Sequence, residues 1–225
     1  MVVLRHALRL DEVDLAFVGS SKAPWDPPLA PAGFEQARAV SRELQTFEIN
    51  TIVASPFQRC LETADTIFKS WHKSLNTWHV DCKLCEMLTP RNLNLLDRPV
   101  PNGHIQDWMW HGVETEQAVQ SAVPDGKVVV DDPRFPAFPE SAEEAHARIN
   151  AVLEDIGNRF QGNILVVAHG EAINRSIVRL MPWTAVIEAK HCCYSVARRT
   201  QDADGDWGPW ELDVSQLHQV QVLGL

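Results

Sequence analysis

Two arginines and two histidines stand at or just beyond the ends of apolar, β-prone runs. Arg5 and His6 follow Val2-Val3-Leu4, Ser55 and Arg59 follow Thr51-Ile52-Val53-Ala54, and His169 follows Ile164-Leu165-Val166-Val167-Ala168. Such runs read as buried strands, and open α/β sheets place ligands where their strands end. A neutral imidazole can act as a nucleophile, and a guanidinium offers a flat fork of donors matched to phosphate or carboxylate oxygens. If βαβ crossovers bring the three strand ends to one edge, these four residues form a strongly cationic pocket. A dianionic phosphoryl group suits it, because its oxygens accept paired guanidinium bonds and the free amides of a helix start. Asp81 and Glu86 lie in the stretch from Val80 to Leu88, and either carboxylate could supply a proton.

The elements that must position these residues follow from pattern. Residues 8–30 read as a loop, with Pro24-Trp25-Asp26-Pro27-Pro28 excluding regular structure, and they should drape over the sheet's end near His6. Arg9, Asp11 and Trp25 are rim candidates there. Pro31 suits a first helical position, and Phe34, Ala37, Val40, Leu44 and Phe47 recur at helical spacing, so a helix is predicted over 31–47. After the strand 51–54, Ser55, Pro56 and Gln58 fit a capping box opening a second helix with Leu61, Ala64, Ile67, Phe68 and Trp71 on its buried stripe. Arg59 then falls in the first turn, where a cation opposes the helix dipole and needs another reason to be present.

Val80 to Leu88 reads as a strand or strand-to-loop crossing. From Thr89 to Pro139 seven prolines break the periodicity, so 89–135 is predicted to be a lid or insertion over the site, with only 113–122 helical and Val128 to Val130 a short strand. Trp108 and Trp110 lie in it and are further rim candidates. Ser141 and Glu144 form a second capping box, opening a helix with Ala145, Ile149, Val152, Ile156 and Phe160 inward. A helix from Ala172 to Met181 follows His169, and Cys193 to Arg198 with Trp210 to Val214 reads as a hairpin across the turn-rich run 202–206. That acidic run lacks flanking helices and a closing glutamate, so it is a turn and not a calcium loop.

Bulk properties bound the function class. A 225-residue chain with 45% apolar residues can bury a sizeable core and suits one domain over 1–225. The formal net charge of -10 argues against nucleic acid or an anionic membrane as partner, so an anionic substrate must be held by local arginines. No run reaches the roughly 18 apolar residues of a membrane span. The chain opens on a strand where a secreted precursor would carry a leader, so a cytoplasmic location is expected. The five cysteines are odd in number and sparse, and free thiols are expected; Cys82, Cys85, Cys192 and Cys193 read as core residues, not zinc ligands.

Leu4-Arg5-His6-Ala7, Ser55-Pro56 with Arg59 and Thr63-Ala64, Glu86, Pro139-Glu140-Ser141 and Val167-Ala168-His169-Gly170-Glu171 together resemble the histidine phosphatase superfamily. Arg5 to Asp11 with Asp26 to Leu29 is more similar to one subset, the suppressor-of-T-cell-receptor-signalling and ecdysteroid-phosphate phosphatase domains. The resemblance implies a phosphoglycerate mutase-like, three-layer α/β/α fold with a mostly parallel sheet. It implies that His6 attacks phosphorus and forms a phosphohistidine, that Arg5, Arg59 and His169 bind the phosphoryl oxygens, and that Glu86, with Asp81 as rival, protonates the leaving oxygen. Glu86 would then help activate the water that frees His6. No metal or cofactor is implied, since arginines supply the positive charge.

The sequence departs from the family at Ala7, where glycine is common, and in lacking the Ser-x-Trp-Asn continuation of phosphoglycerate mutases. The expected activity is therefore phosphomonoester hydrolysis on a phosphorylated small molecule or phosphoprotein. A phosphoglycerate-type mutase and a catalytically silent module binding a phospho-ligand or protein are the alternatives. Oligomeric state is open, a homodimer included.

Overall fold

The opening run Val2–Arg5 forms β1 near the middle of the sheet because both its faces meet apolar layers: Val2 and Leu4 point into one core, Val3 into the other. The structure is a computed structural model, and it describes residues 1–71, 75, 77–97, 105, 109, 113–124 and 127–224. In chain order the elements are β1, the short turn α1 (Phe17–Ser20), α2 (Pro31–Leu44), β2 (Thr51–Ala54), α3 (Gln58–Ser70), β3 (Trp78–Asp81), α4 (Thr115–Ala122), β4 (Val128–Asp132), α5 (Ala142–Arg159), β5 (Ile164–Ala168), α6 (Gly170–Val178), β6 (Ala185–Arg198), β7 (Glu211–Leu212) and β8 (His218–Leu223). Among the described residues no helix is long and apolar enough to cross a membrane.

The sheet runs β4-β3-β2-β5-β1-β6-β7, with β8 also on β6. The five strands from β4 to β1 are parallel; β6 is antiparallel to β1, and β7 and β8 are antiparallel to β6. Helices α2 and α3, with Val119 of α4, cover one face through Ala37, Val40, Leu44, Leu61, Ala64 and Ile67. Helices α5 and α6 cover the other through Ile149, Val152, Leu153, Ile156, Ile173 and Ile177. This is the expected three-layer α/β/α arrangement, and two-sided burial explains why its inner strands are continuous apolar runs.

β5, late in the chain, inserts between β1 and β2, and its register does the positioning. Arg5 pairs with Ala168, and Ala54 with Val167. Each ladder continues one residue further: the His6 N–H donates to the Ala168 carbonyl and the Ser55 N–H to the Val167 carbonyl, both at 2.9 Å. His6, Ser55 and His169 thus leave the sheet at one level of its carboxyl edge.

Several predicted elements take different bounds. The Val80 to Leu88 stretch is strand only to Asp81, whose side chain accepts the Lys83 N–H at 2.9 Å and opens a 3₁₀ turn over Cys82–Leu84. Two parts of the expected insertion are framework: β4 pairs in parallel with β3, and Val119 of α4 enters the main core. Residues 98–104, 106–108, 110–112 and 125–126 of that insertion lie outside the described residues. The predicted helix after His169 is α6, starting at Gly170 and ending at Val178. The predicted hairpin is the end of the much longer β6 with a two-residue β7, and β8 was not anticipated, although its apolar and polar residues alternate as a half-exposed strand's do.

Candidate active site

His6 sits one residue past β1, 1% exposed. Its Nδ1 lies 2.8 Å from the Ala7 carbonyl. A carbonyl only accepts, so Nδ1 carries the ring proton and Nε2 keeps its lone pair. Burial first, then Arg59, His169 and Arg5, pushes the imidazole well below its ordinary pKa, so the ring is neutral near pH 7. Ala7 is fully buried and has no left-handed backbone; its N–H donates to Thr63 Oγ1 at 3.1 Å, and the Thr63 hydroxyl donates to the Arg59 carbonyl at 2.7 Å. The position therefore accepts an alanine in place of glycine without backbone strain.

His169 follows β5 and precedes α6, with its ring 5.4 Å from that of His6, edge to face. Arg59 Nη2, a donor only, approaches His169 Nδ1 at 3.3 Å, which leaves Nε2–H to donate to Ser55 Oγ at 2.8 Å. Burial, then Arg59, holds this imidazole too well below its ordinary pKa. Ser55 does not form the predicted capping box. Helix α3 starts later, at Gln58, and its first amide is taken by Asp26 Oδ1 at 2.7 Å, while the Ser55 hydroxyl is 3.5 Å from the Phe57 N–H and serves His169. A tertiary partner has displaced a local one.

Arg59 is fully buried, with its guanidinium 4.5 Å over the Phe57 ring. Asp26 Oδ1 lies 3.8 Å from Nη1 and Glu86 Oε2 lies 3.7 Å from Nη2, which is the reason a cation stands in the first turn of a helix. Its Nε and Nη1, and Nε of Arg5, have no hydrogen-bond partner among the described residues, whereas Arg5 Nη1 donates to the Ala189 carbonyl at 2.5 Å. Buried guanidinium donors without acceptors mark a place for an anion.

Glu86 is brought to this cluster: its Oε2 is 3.4 Å from His169 Nδ1. Asp81 is not. Its carboxylate opens the 3₁₀ turn and pairs with Arg159 at 3.2 Å, on the far flank of β3. Of the rim candidates, Arg9 hydrogen-bonds Asp11 at 3.0 Å and lies 3.1 Å from Glu12 on the loop after His6, and its buried Nε has no hydrogen-bond partner among the described residues. Trp25 corrects the rim expectation: it is 7% exposed, packs with Phe57, Leu88, Leu93 and Met109, and donates its indole N–H to the Met109 carbonyl at 3.1 Å. Trp108 and Trp110 lie outside the described residues.

The sequence reading missed His191 as a site residue. Its ring is 5.6 Å from that of His6, and its Nε2 is 3.3 Å from Glu12 Oε1. The neighbouring Cys192 has a left-handed backbone, φ 57°, and its N–H donates to the His6 carbonyl at 3.3 Å. Contact with His191, and after it Arg9 and Arg5, holds the Glu12 carboxyl below its usual range against the opposing effect of burial. The available signal was a histidine beside two cysteines, which spoke only of zinc.

Comparison with known proteins bears on this arrangement. The family model of the histidine phosphatase superfamily, branch 1, matches residues 1–91 and 105–203. Phosphoserine phosphatase 1 of Hydrogenobacter thermophilus is 25% identical over 174 residues, which span 75% of this chain and 70% of that relative. Among solved structures, the ecdysone phosphate phosphatase from Bombix mori in complex with tungstate superposes with a TM-score of 0.66 at 18% identity, covering 96% of this chain and 92% of that one. A phosphoglycerate mutase from Bacillus anthracis superposes at 0.53 with 20% identity, covering 92% and 88%. These two similarities establish the phosphoglycerate mutase-like fold.

Proposed function

The chain belongs to the histidine phosphatase superfamily, and from that membership we propose that it is a phosphomonoesterase working through a phosphohistidine on His6 without a metal. The observation that carries the reading is the bare Nε2 of a neutral His6 beside guanidinium donors left without acceptors. In the first half-reaction His6 Nε2 attacks phosphorus in line, the bond to the leaving oxygen breaks, and protonated Glu86 gives that oxygen its proton. In the second, the Glu86 carboxylate takes a proton from water as the water's oxygen bonds phosphorus and the P–N bond breaks, returning His6 and inorganic phosphate. Phosphoryl transfer asks mainly for positioning and fixed positive charge, which Arg5 and Arg59 supply, with His169 between Arg59 and Glu86. The substrate class is a phosphorylated small molecule or phosphoprotein, and phosphoserine is a first candidate because the Hydrogenobacter relative bears that name.

The test is hydrolysis of 4-nitrophenyl phosphate and phosphoserine in excess chelator, comparing wild type with His6→Ala and quenching the wild type to look for an acid-labile phosphoenzyme. Turnover with a trapped intermediate in the wild type and neither in His6→Ala is expected. Retained activity in His6→Ala would sink the nucleophile, and dependence on added metal would sink the metal-free reading.

A further inference from the structure

Glu86 lies in a stretch without regular secondary structure: the 3₁₀ turn ends at Leu84, and no strand or helix resumes through Thr89. Its fixed point is a pair of side chains far along the chain. Arg148 of α5 places Nη1 2.7 Å from the Lys83 carbonyl and 3.1 Å from that of Cys85, and Nη2 3.3 Å from the Glu86 carbonyl. Its Nε donates to Glu140 Oε2 at 3.0 Å, and Nη2 also meets Glu140 Oε1. All three guanidinium nitrogens are engaged. Glu140 closes the other side of the loop: Oε1 accepts the Leu88 N–H at 2.8 Å, and its own N–H donates to the Leu88 carbonyl at 3.0 Å.

The loop's other backbone N–H bonds are local, and at its start the Lys83 side chain pairs with Asp132 of β4 at 2.8 Å. The Cys85 N–H reaches Cys82, the Thr89 N–H reaches Met87, and the Met87 N–H reaches Glu86 Oε1. None of these three N–H bonds ties Glu86 to the sheet, and the Lys83 pair lies three residues before it. The pair itself is nearly buried, with side-chain exposures of 10% for Arg148 and 4% for Glu140. A buried ion pair contributes little net stability compared with an apolar replacement, so its five-donor geometry calls for a positional explanation.

We propose that Arg148 and Glu140 are the positioning residues for Glu86, a clamp that holds the 83–88 loop so that the carboxyl meets the leaving oxygen. The proposal rests on the reading of Glu86 as proton donor. Arg148→Lys keeps the charge and loses the planar fork, so it cannot hold three carbonyls and a carboxylate together. The specific consequence is leaving-group dependence, because a badly placed acid harms esters whose leaving oxygen needs a proton and spares those that leave as stable phenolates.

The experiment measures kcat/KM for 4-nitrophenyl phosphate and for an alkyl phosphate in wild type, Arg148→Lys, Glu140→Gln and Glu86→Gln, with amide hydrogen exchange over residues 83–90. For Arg148→Lys, which misplaces the acid without removing it, we expect the alkyl ester to slow by about 10- to 100-fold, up to the lower end of the roughly 100- to 10,000-fold a general acid contributes, and the aryl ester by less than about threefold. Glu86→Gln should show the same pattern, and Arg148→Lys combined with it should add little. Exchange at 83–90 should quicken in Arg148→Lys. Glu140→Gln, which keeps an acceptor for Leu88 and loses the ion pair, carries the same expectation should Arg148→Lys fail to fold.

A purely structural role predicts equal slowing of both esters, and that result overturns the clamp, as does unchanged selectivity in both clamp variants while Glu86→Gln discriminates. If Glu86→Gln slows both esters alike, or the wild type is inactive, the acid reading has failed instead. Exchange then decides the clamp alone: quickened exchange upholds it, and unchanged exchange overturns it.

Discussion

The ring of His6 presents Nδ1 to the carbonyl of its own neighbour, Ala7, at 2.8 Å. One backbone oxygen thereby selects the tautomer and leaves Nε2 with its lone pair. The expected outcome in a long-range ¹H–¹⁵N spectrum at pH 7 is a neutral His6 ring with the proton on Nδ1. A proton on Nε2, or a charged ring, would remove the nucleophile that the proposed chemistry needs.

His6 and His169 also make stability depend on pH. Both imidazoles are held well below the ordinary value of 6.5, by burial first and by Arg59 in both cases. Above pH 6.5 folded and unfolded chains alike carry them neutral, and no difference arises. Below 6.5 the unfolded chain binds protons that the folded chain refuses, so stability falls as pH drops, by up to about 1.4 kcal/mol per pH unit for each such group. Melting temperature should therefore decline from pH 7 to pH 5 and decline less in a His6→Asn variant. Inorganic phosphate should flatten the decline as well, since an anion beside the two rings favours their charged forms.

Gly33 links helix α2 to the catalytic strand end. A Cβ there would stand 2.4 Å from the Leu8 carbonyl oxygen, which accepts the Ala30 N–H at 2.9 Å. Backbone cannot yield as a side-chain tip can, so Gly33→Ala must displace Leu8, two residues from His6. Thermal unfolding should show a loss of about 1–3 kcal/mol, the usual cost of overpacking, and kcat should fall with it. A variant as stable and active as wild type would mean that the loop after His6 is free to move.

The inner strands were legible because burial on both faces leaves only apolar residues in Val2 to Leu4, Ile52 to Ala54 and Ile164 to Ala168. Helix α5 was legible because Ser141 and Glu144 satisfy each other within one turn of chain. What failed were choices made by distant partners. Asp81 and Glu86 are equivalent as letters in one short stretch; Arg159 takes the first, and the approach to His169 and Arg59 singles out the second. His191 was hidden because β6 shifts register between Ala189 and Tyr194, which blurs the alternation that would have marked its facing.

Ser55 gives the sharpest contrast between local pattern and tertiary use. As a helix cap, its replacement by alanine would loosen the first turn of α3. Its hydroxyl instead accepts from His169 Nε2 at 2.8 Å, and the first amide of the helix belongs to Asp26. In Ser55→Ala the buried N–H keeps, among the described residues, only Cys60 Sγ nearby, at 3.6 Å, so stability should fall by about 1–3 kcal/mol, the cost of a buried polar group left without its partner. With the ring free to turn, Arg59 and Glu86 lose the nitrogen that lies between them, and kcat/KM should drop by about 10- to 100-fold, as displacement by an ångström typically costs. Amide exchange at Gln58 to Leu61 should stay unchanged. Faster exchange there with full activity would return Ser55 to the capping role and detach it from the site.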